Sequence, residues 1–205
     1  ERSAVDALCV GEGEGAWLDF LDAREAGRSI DTIPNIVTKE NRGTWAEIRN
    51  RNVDLDALPF LDWDLVLNKT RLGAFPMRSF MVSRGCPFRC SYCFEHRDNE
   101  MYRGRGPVLR RMSVRRVCEE LSFLKKAYPD TQRIKEYSDV FPVFPSVDDE
   151  WLEEWSEEYP KRVGLPFHCL VRADLIARDP RKAELLKRSG LDSVTMSIEI
   201  GNERV

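Results

Sequence analysis

The sequence predicts an α/β protein built around parallel βα units, a partial (β/α) barrel, and three observations lead there. From Phe80 onward, short β-rich runs alternate with amphipathic helical runs four times, and strands joined through helices run parallel with right-handed crossovers. In the fourth run Val194, Met196, Ile198 and Ile200 alternate with Thr195, Ser197 and Glu199, so one face suits packing against helices and the other is polar. Finally, three of the six cysteines fall between residues 86 and 93, directly after the first of these runs. Chemistry is therefore expected at a strand end.

In chain order, residues 5–10 form a short β-rich run, Gly11, Gly13 and Gly15 a turn, and residues 16–21 have helical spacing. Residues 33–37 read as a second short strand, and 54–64, with Leu55, Leu58, Phe60, Leu61 and Trp63, as an irregular apolar linker lying across another surface. Residues 80–83 read as the first strand of the repeating part. Ser113 caps a helix whose Val114, Val117, Cys118, Leu121 and Leu124 recur at three- and four-residue intervals. Residues 133–137 form the second strand. Ser146 precedes Asp148, Asp149 and Glu150, acids placed where a helix start favours negative charge, and Trp151, Leu152, Trp155 and Tyr159 supply that helix's apolar stripe. Residues 167–172 form the third strand. Asp179 and Pro180 open a helix with Leu185 and Leu186 on its core face and Gly190 as its stop, and residues 193–200 are the fourth strand.

Composition narrows the function classes. The 205 residues are 42% hydrophobic and 33% charged, with a net charge of -3, enough for one sizeable core or two partial domains. Positive and negative residues are mixed along the chain, so neither a nucleic-acid footprint nor a polybasic membrane patch is expected. No apolar run approaches the roughly 18 residues of a membrane span, and the opening residues do not resemble a signal peptide, which makes the cytoplasm the expected location. Glu1 in place of a starting methionine, and a strand-like stretch at the other end, lead to the expectation of an internal piece of a longer protein.

The central motif is Cys86-Pro87-Phe88-Arg89-Cys90-Ser91-Tyr92-Cys93, a C-x3-C-x2-C array. Three thiolates in one loop can wrap an iron-sulfur cluster and leave one iron open for a ligand. A zinc site completed by a distant ligand such as His96, or three unrelated buried cysteines, are the competing readings. The array resembles the radical S-adenosylmethionine superfamily, whose motif has this spacing after the first barrel strand and an aromatic residue before the last cysteine. The resemblance implies that Cys86, Cys90 and Cys93 hold a [4Fe-4S] cluster whose open iron binds S-adenosylmethionine, cleaved reductively to a 5'-deoxyadenosyl radical. It also implies that Tyr92 lies beside the adenine.

Three further residues enter through the same resemblance. Glu199, in Ser197-Ile198-Glu199-Ile200-Gly201-Asn202-Glu203, resembles the glutamate that approaches the cofactor in one large branch, with Ser197 and Ile200 departing from the pattern. Arg172 sits in a similar branch motif and would meet the methionine carboxylate. Asp139 resembles the second aspartate of an Asp-Asp-x-Phe motif, with Ser138 in place of the first, and would approach the cofactor's amino group. No residue is assigned a catalytic role.

The segment from Val5 to Glu14, followed by the 55–59 linker and then the cysteine loop, resembles the join between a cobalamin-binding domain and a radical S-adenosylmethionine domain. On that reading residues 1–50 are the C-terminal remnant of a doubly wound, Rossmann-like cobalamin-binding domain, 51–75 a linker, and 76–205 the N-terminal part of the partial barrel. The cobalamin would be bound mainly by residues upstream of Glu1. The function implied is a cobalamin-dependent radical enzyme, most commonly a methyltransferase, acting on a small molecule or peptide and fed by an electron donor such as flavodoxin or ferredoxin. A cobalamin-independent radical enzyme and a non-catalytic iron-sulfur or zinc module are the alternatives.

Overall fold

The computed structural model describes residues 5–42 and 47–197. In chain order its elements are β1 (Ala7–Cys9), α1 (Glu14–Glu25), β2 (Ile36–Thr38), α2 (Trp63–Asn68), a 3-10 turn at Arg71–Ala74, β3 (Met77–Phe80), β4 (Ser83–Arg84), α3 (Glu95–Met101), β5 (Arg110–Arg111), α4 (Val114–Ala127), β6 (Arg133–Glu136), α5 (Asp149–Arg162), β7 (Phe167–Leu170), α6 (Ala173–Arg178), α7 (Arg181–Arg188) and β8 (Leu191–Thr195). Two compact units result: Glu1–Val53 with Pro87–Val108, and Asp54–Cys86 with Leu109–Val205.

The larger unit carries a parallel sheet in the order β3-β6-β7-β8, so each strand lies beside the next in sequence and helices make the crossovers. α4 grows from its cap as the spacing requires: the Ser113 hydroxyl accepts from the Arg116 N–H at 3.1 Å, and Val114, Val117, Cys118, Leu121 and Leu124 are fully buried. α5 contributes Trp155 and Tyr159, stacked at 4.3 Å, and Trp155 meets Phe167 of β7 edge-on at 5.6 Å. Phe141 joins the same cluster, 6.0 Å from Trp155 and 5.8 Å from Phe167. This aromatic layer is the heart of the unit, because ring pairs at such distances add to what their burial contributes.

The expected linker is tied to α4. Glu120 forms a buried ion pair with Arg116 at 2.7 Å and accepts from the Leu61 N–H and the Trp63 indole, while Arg116 donates to the Leu58 carbonyl at 3.0 Å. Two segments outside the expected helices are helical, α2, capped by Asp62, and α6. The first sheet strand begins at Met77 rather than Phe80, because Ser83 and Arg84 pair with Arg111 and Arg110 in a separate antiparallel ribbon. β7 ends at Leu170, so Arg172 leaves the strand and stands at the start of α6. β8 spans 191–195 and borders the described sheet, with Val194 and Met196 exposed, and Ile198, Glu199 and Ile200 of the expected strand lie outside the described residues.

In the smaller unit β1 and β2 pair antiparallel and α1 packs Ala16 and Ala23 against Ile33 and Ile36. Gly11 has φ +80°, a conformation that favours glycine, and a Cβ there would strike the Tyr102 hydroxyl. That hydroxyl accepts from the Glu12 N–H at 2.7 Å, and the buried Arg51 stacks its guanidinium 4.7 Å from the Tyr102 ring and pairs with Asp98 at 2.7 Å. Glu12 and Glu14 turn to Asn52, accepting from its backbone N–H and its side-chain amide. The glycine turn is thus shaped by residues 98–107 as much as by its own sequence, and residues 87–108, grouped with 76–205 in the sequence reading, cluster with residues 1–53.

Candidate functional site

The route into the cysteine loop is held by the end of β6. Beyond Glu136 the chain runs through Ser138 and Asp139 to Phe141, whose ring is anchored in the aromatic cluster and whose N–H donates to the Leu170 carbonyl at 3.0 Å. From that anchored segment the Ser138 hydroxyl accepts from the N–H groups of Val82 and Ser83 at 3.1 and 2.9 Å. Asp139 Oδ2 accepts from the Gly85 N–H at 2.8 Å. Gly85 takes φ +89° and is followed at once by Cys86. The departures from a double-aspartate motif therefore have a structural use: Ser138 serves as a two-point backbone acceptor where an aspartate was the expected residue.

Glu136 completes this arrangement. Its side chain is on the helix-covered face with Ile134 and is 2% exposed. Oε1 accepts from the Ser138 N–H at 2.8 Å, from the Ser138 hydroxyl, and from the Val82 N–H at 3.3 Å. Oε2 has no hydrogen-bond partner among the described residues. Burial pushes the carboxyl up to about 7, against the lowering effect of the Ser138 and Val82 hydrogen bonds, and the nearby Asp139 raises it further. Cys169, buried on the same face of β7, has its thiol pushed up chiefly by burial and secondly by Glu136.

The three cysteines are reduced, Cys86 buried and Cys90 and Cys93 half-buried, with the Cys93 N–H donating to the Cys90 carbonyl at 3.1 Å. Among the described residues no three Cys, His, Asp or Glu side chains are already gathered around a metal position. The donor set nevertheless fits an iron-sulfur cluster: three unoxidised thiols on one short loop, the first delivered by a hydrogen-bonded backbone. Tyr92 is 66% exposed. Arg172 donates from Nε to Asp174 at 3.0 Å, so part of its guanidinium is engaged by its own helix. Glu199 lies outside the described residues.

A cavity of ≈ 300 Å³ opens around the carboxyl ends of β6, β7 and β8, lined by Lys135, Glu136, Tyr137, Ser138, Asp139, His168, Leu170 and Thr195. Ligands of parallel sheets characteristically bind at these ends. His168 bridges two hydroxyls, Nδ1 to Ser193 at 2.8 Å and Nε2 to Thr195 at 3.1 Å. Burial, with help from Arg133 and Lys135, lowers its pKa. The Lys135 ammonium sits 4.5 Å from the centre of the Tyr137 ring. Among the described residues, Asp139 is the one expected cofactor contact that lines this cavity. Glu136 and His168 were not anticipated, although a charged residue two positions after Ile134 in a strand was a visible signal.

A parallel sheet whose first strand leads into a loop of three cysteines defines an α/β protein of the cluster-binding kind. The family comparison makes the assignment: the chain belongs to the radical SAM superfamily, whose family model matches residues 80–205. An uncharacterized methyltransferase of Pyrococcus horikoshii is 27% identical over 212 residues, covering all of this chain and 42% of the relative. The chain thus spans less than half the length of that relative. Among solved structures, the cobalamin-dependent S-adenosylmethionine radical enzyme OxsB with aqua-cobalamin bound superposes with a TM-score of 0.73 at 20% identity, covering 96% of this chain and 28% of OxsB. The radical S-adenosylmethionine methyltransferase TsrM of Kitasatospora setae, with cobalamin and a [4Fe-4S] cluster bound, gives a TM-score of 0.67 at 16% identity over 94% of this chain and 38% of TsrM. These two likenesses concern fold. No described helix is long and apolar enough to cross a membrane.

Proposed function

We propose that this chain is the junction and leading barrel portion of a cobalamin-dependent radical SAM enzyme that transfers a methyl group to a small molecule or peptide. The observation that carries the reading is the C-x3-C-x2-C loop following the first parallel strand inside the family match, supported by a likeness in fold to OxsB that extends over 96% of the chain. On this reading residues 1–50 belong to the cobalamin-binding domain, 51–75 join it to the barrel, and 76–205 begin the barrel.

The cluster, when bound, supplies the electron that cleaves S-adenosylmethionine; Cys86, Cys90 and Cys93 hold it. With S-adenosylmethionine bound, Tyr92 would flank the adenine, Asp139 would approach the amino group, and Arg172 and Glu199 would complete the cofactor's polar contacts. His168, whose two ring nitrogens are held by the Ser193 and Thr195 hydroxyls, is fixed in orientation on the wall of the cavity. The electron comes from a cytoplasmic donor such as flavodoxin or ferredoxin.

Anaerobic reconstitution followed by titration with S-adenosylmethionine and with hydroxocobalamin tests the proposal. The cluster's spectrum is expected to shift on adding S-adenosylmethionine, and the enzyme in its full natural length is expected to bind cobalamin. A spectral shift without cobalamin binding by that full-length enzyme would favour a cobalamin-independent radical enzyme; stoichiometric zinc and no colour would favour a non-catalytic module.

A further inference from the structure

The buried carboxyl of Glu136 has no place in the cofactor contacts above, yet it lies at the root of the cysteine loop. Among the described residues it receives three hydrogen bonds on Oε1 and none on Oε2. Its partners are Val82, four residues before Cys86, and Ser138, which in turn holds Val82 and Ser83. Asp139, immediately after Ser138, holds Gly85. Four backbone N–H groups, those of Val82, Ser83, Gly85 and Ser138, thus depend on a set of three side chains at the end of β6. A buried N–H deprived of its acceptor costs more than the hydrogen bond itself contributed, so the segment 82–85 has one favoured path while these acceptors stand.

We propose that Glu136 is a positioning residue for the cluster: with Ser138 it fixes the backbone that delivers Cys86 and so sets how firmly the first thiolate is held. The proposal rests on the assignment of Cys86 as a ligand. Glu136 touches neither the cluster nor the cofactor in this role. Because all three of its bonds arrive at one oxygen, the amide oxygen of a glutamine can receive the same set.

The test is the rate at which a chelator strips iron from the anaerobically reconstituted protein, followed by the cluster's visible absorbance. Glu136→Leu, which removes every acceptor, and Ser138→Ala, which removes one hydroxyl, are each expected to speed iron loss by about tenfold, the change that follows from one orphaned buried donor. Glu136→Gln is expected to stay within about twofold of wild type. Leu121→Ala, a truncation in the core face of α4, is the control for general destabilisation. Equal rates in Glu136→Leu and wild type, or acceleration in Leu121→Ala matching that of Glu136→Leu at equal loss of thermal stability, would reduce Glu136 to an ordinary core group and overturn the proposal. Should Glu136→Leu not fold, Ser138→Ala decides alone, and a wild-type rate there would overturn it. Failure of the wild-type protein to take up iron would instead refute the cluster assignment on which the proposal rests.

Discussion

Replacing Glu136 with glutamine is expected to stabilise the sheet-bearing unit at high pH and leave it nearly unchanged at low pH. The carboxyl rises from an ordinary 4.5 to about 7, with burial as the leading cause. An acid whose folded-state value is raised is favoured in its protonated form by folding, so its contribution is fully present below pH 4.5 and is lost as pH climbs through about 7. With 1.36 kcal/mol for each tenfold change in proton affinity, the loss amounts to about 3 kcal/mol. Glutamine stays neutral throughout and escapes it. The assay is denaturant unfolding followed by the fluorescence of Trp151 and Trp155, which sit in this unit, for both proteins at about pH 4.5 and about pH 8. Taking the difference between the two proteins removes the other titrating groups, including Asp148, whose carboxyl burial also raises, and Asp149, which the Lys182 hydrogen bond lowers. A difference that does not grow with pH would show that Glu136 is not buried as charged-form-disfavouring as its position implies.

Trp155→Ala should cost the same unit about 3–5 kcal/mol, since it empties the centre of the aromatic layer, and a fall in unfolding midpoint without a change in denaturant slope would report it. Gly11→Ala forces a left-handed backbone on a residue with a side chain and displaces the Tyr102 hydroxyl; hydrogen exchange at the Glu12 amide should speed by about tenfold, a loss of roughly 1–2 kcal/mol, and unchanged protection would show that the turn does not depend on that contact. Glu199→Ala should weaken the response of the cluster spectrum to S-adenosylmethionine by about tenfold or more, the usual effect of losing one charged hydrogen bond; superimposable titrations would place Glu199 away from the cofactor.

The parallel sheet and the faces of α4, α5 and α7 were legible because their residues repeat at the periods of buried helices and strands: Val117, Leu121 and Leu124 could sit on no other face, and Ser113 announces its helix. Strand limits were less legible. Met81 and Val82 read as strand by composition, but the ribbon with Arg110 and Arg111 draws Ser83 and Arg84 away, a pairing about 27 residues distant that no local pattern reveals. The cysteine array was readable outright, since its chemistry lies in its spacing. What escaped were the groups that act through distant partners. Ser138 looked like a defect in a motif until Val82 and Ser83 were seen donating to it, and the glycine turn looked like simple turn chemistry until Tyr102, 91 residues beyond Gly11, was found against it. Long-range hydrogen bonds leave no period in the sequence.

The central claim is that Cys86, Cys90 and Cys93 hold a redox-active [4Fe-4S] cluster, and anaerobic reconstitution of wild-type and Cys90→Ala proteins, with iron and sulfide analysis beside electron paramagnetic resonance after reduction, tests it most directly. The wild-type protein should carry one cluster per chain and show a reduced-state resonance that changes when S-adenosylmethionine is added, while Cys90→Ala should lose both iron and signal. Full iron content and an unaltered resonance in Cys90→Ala would contradict the account.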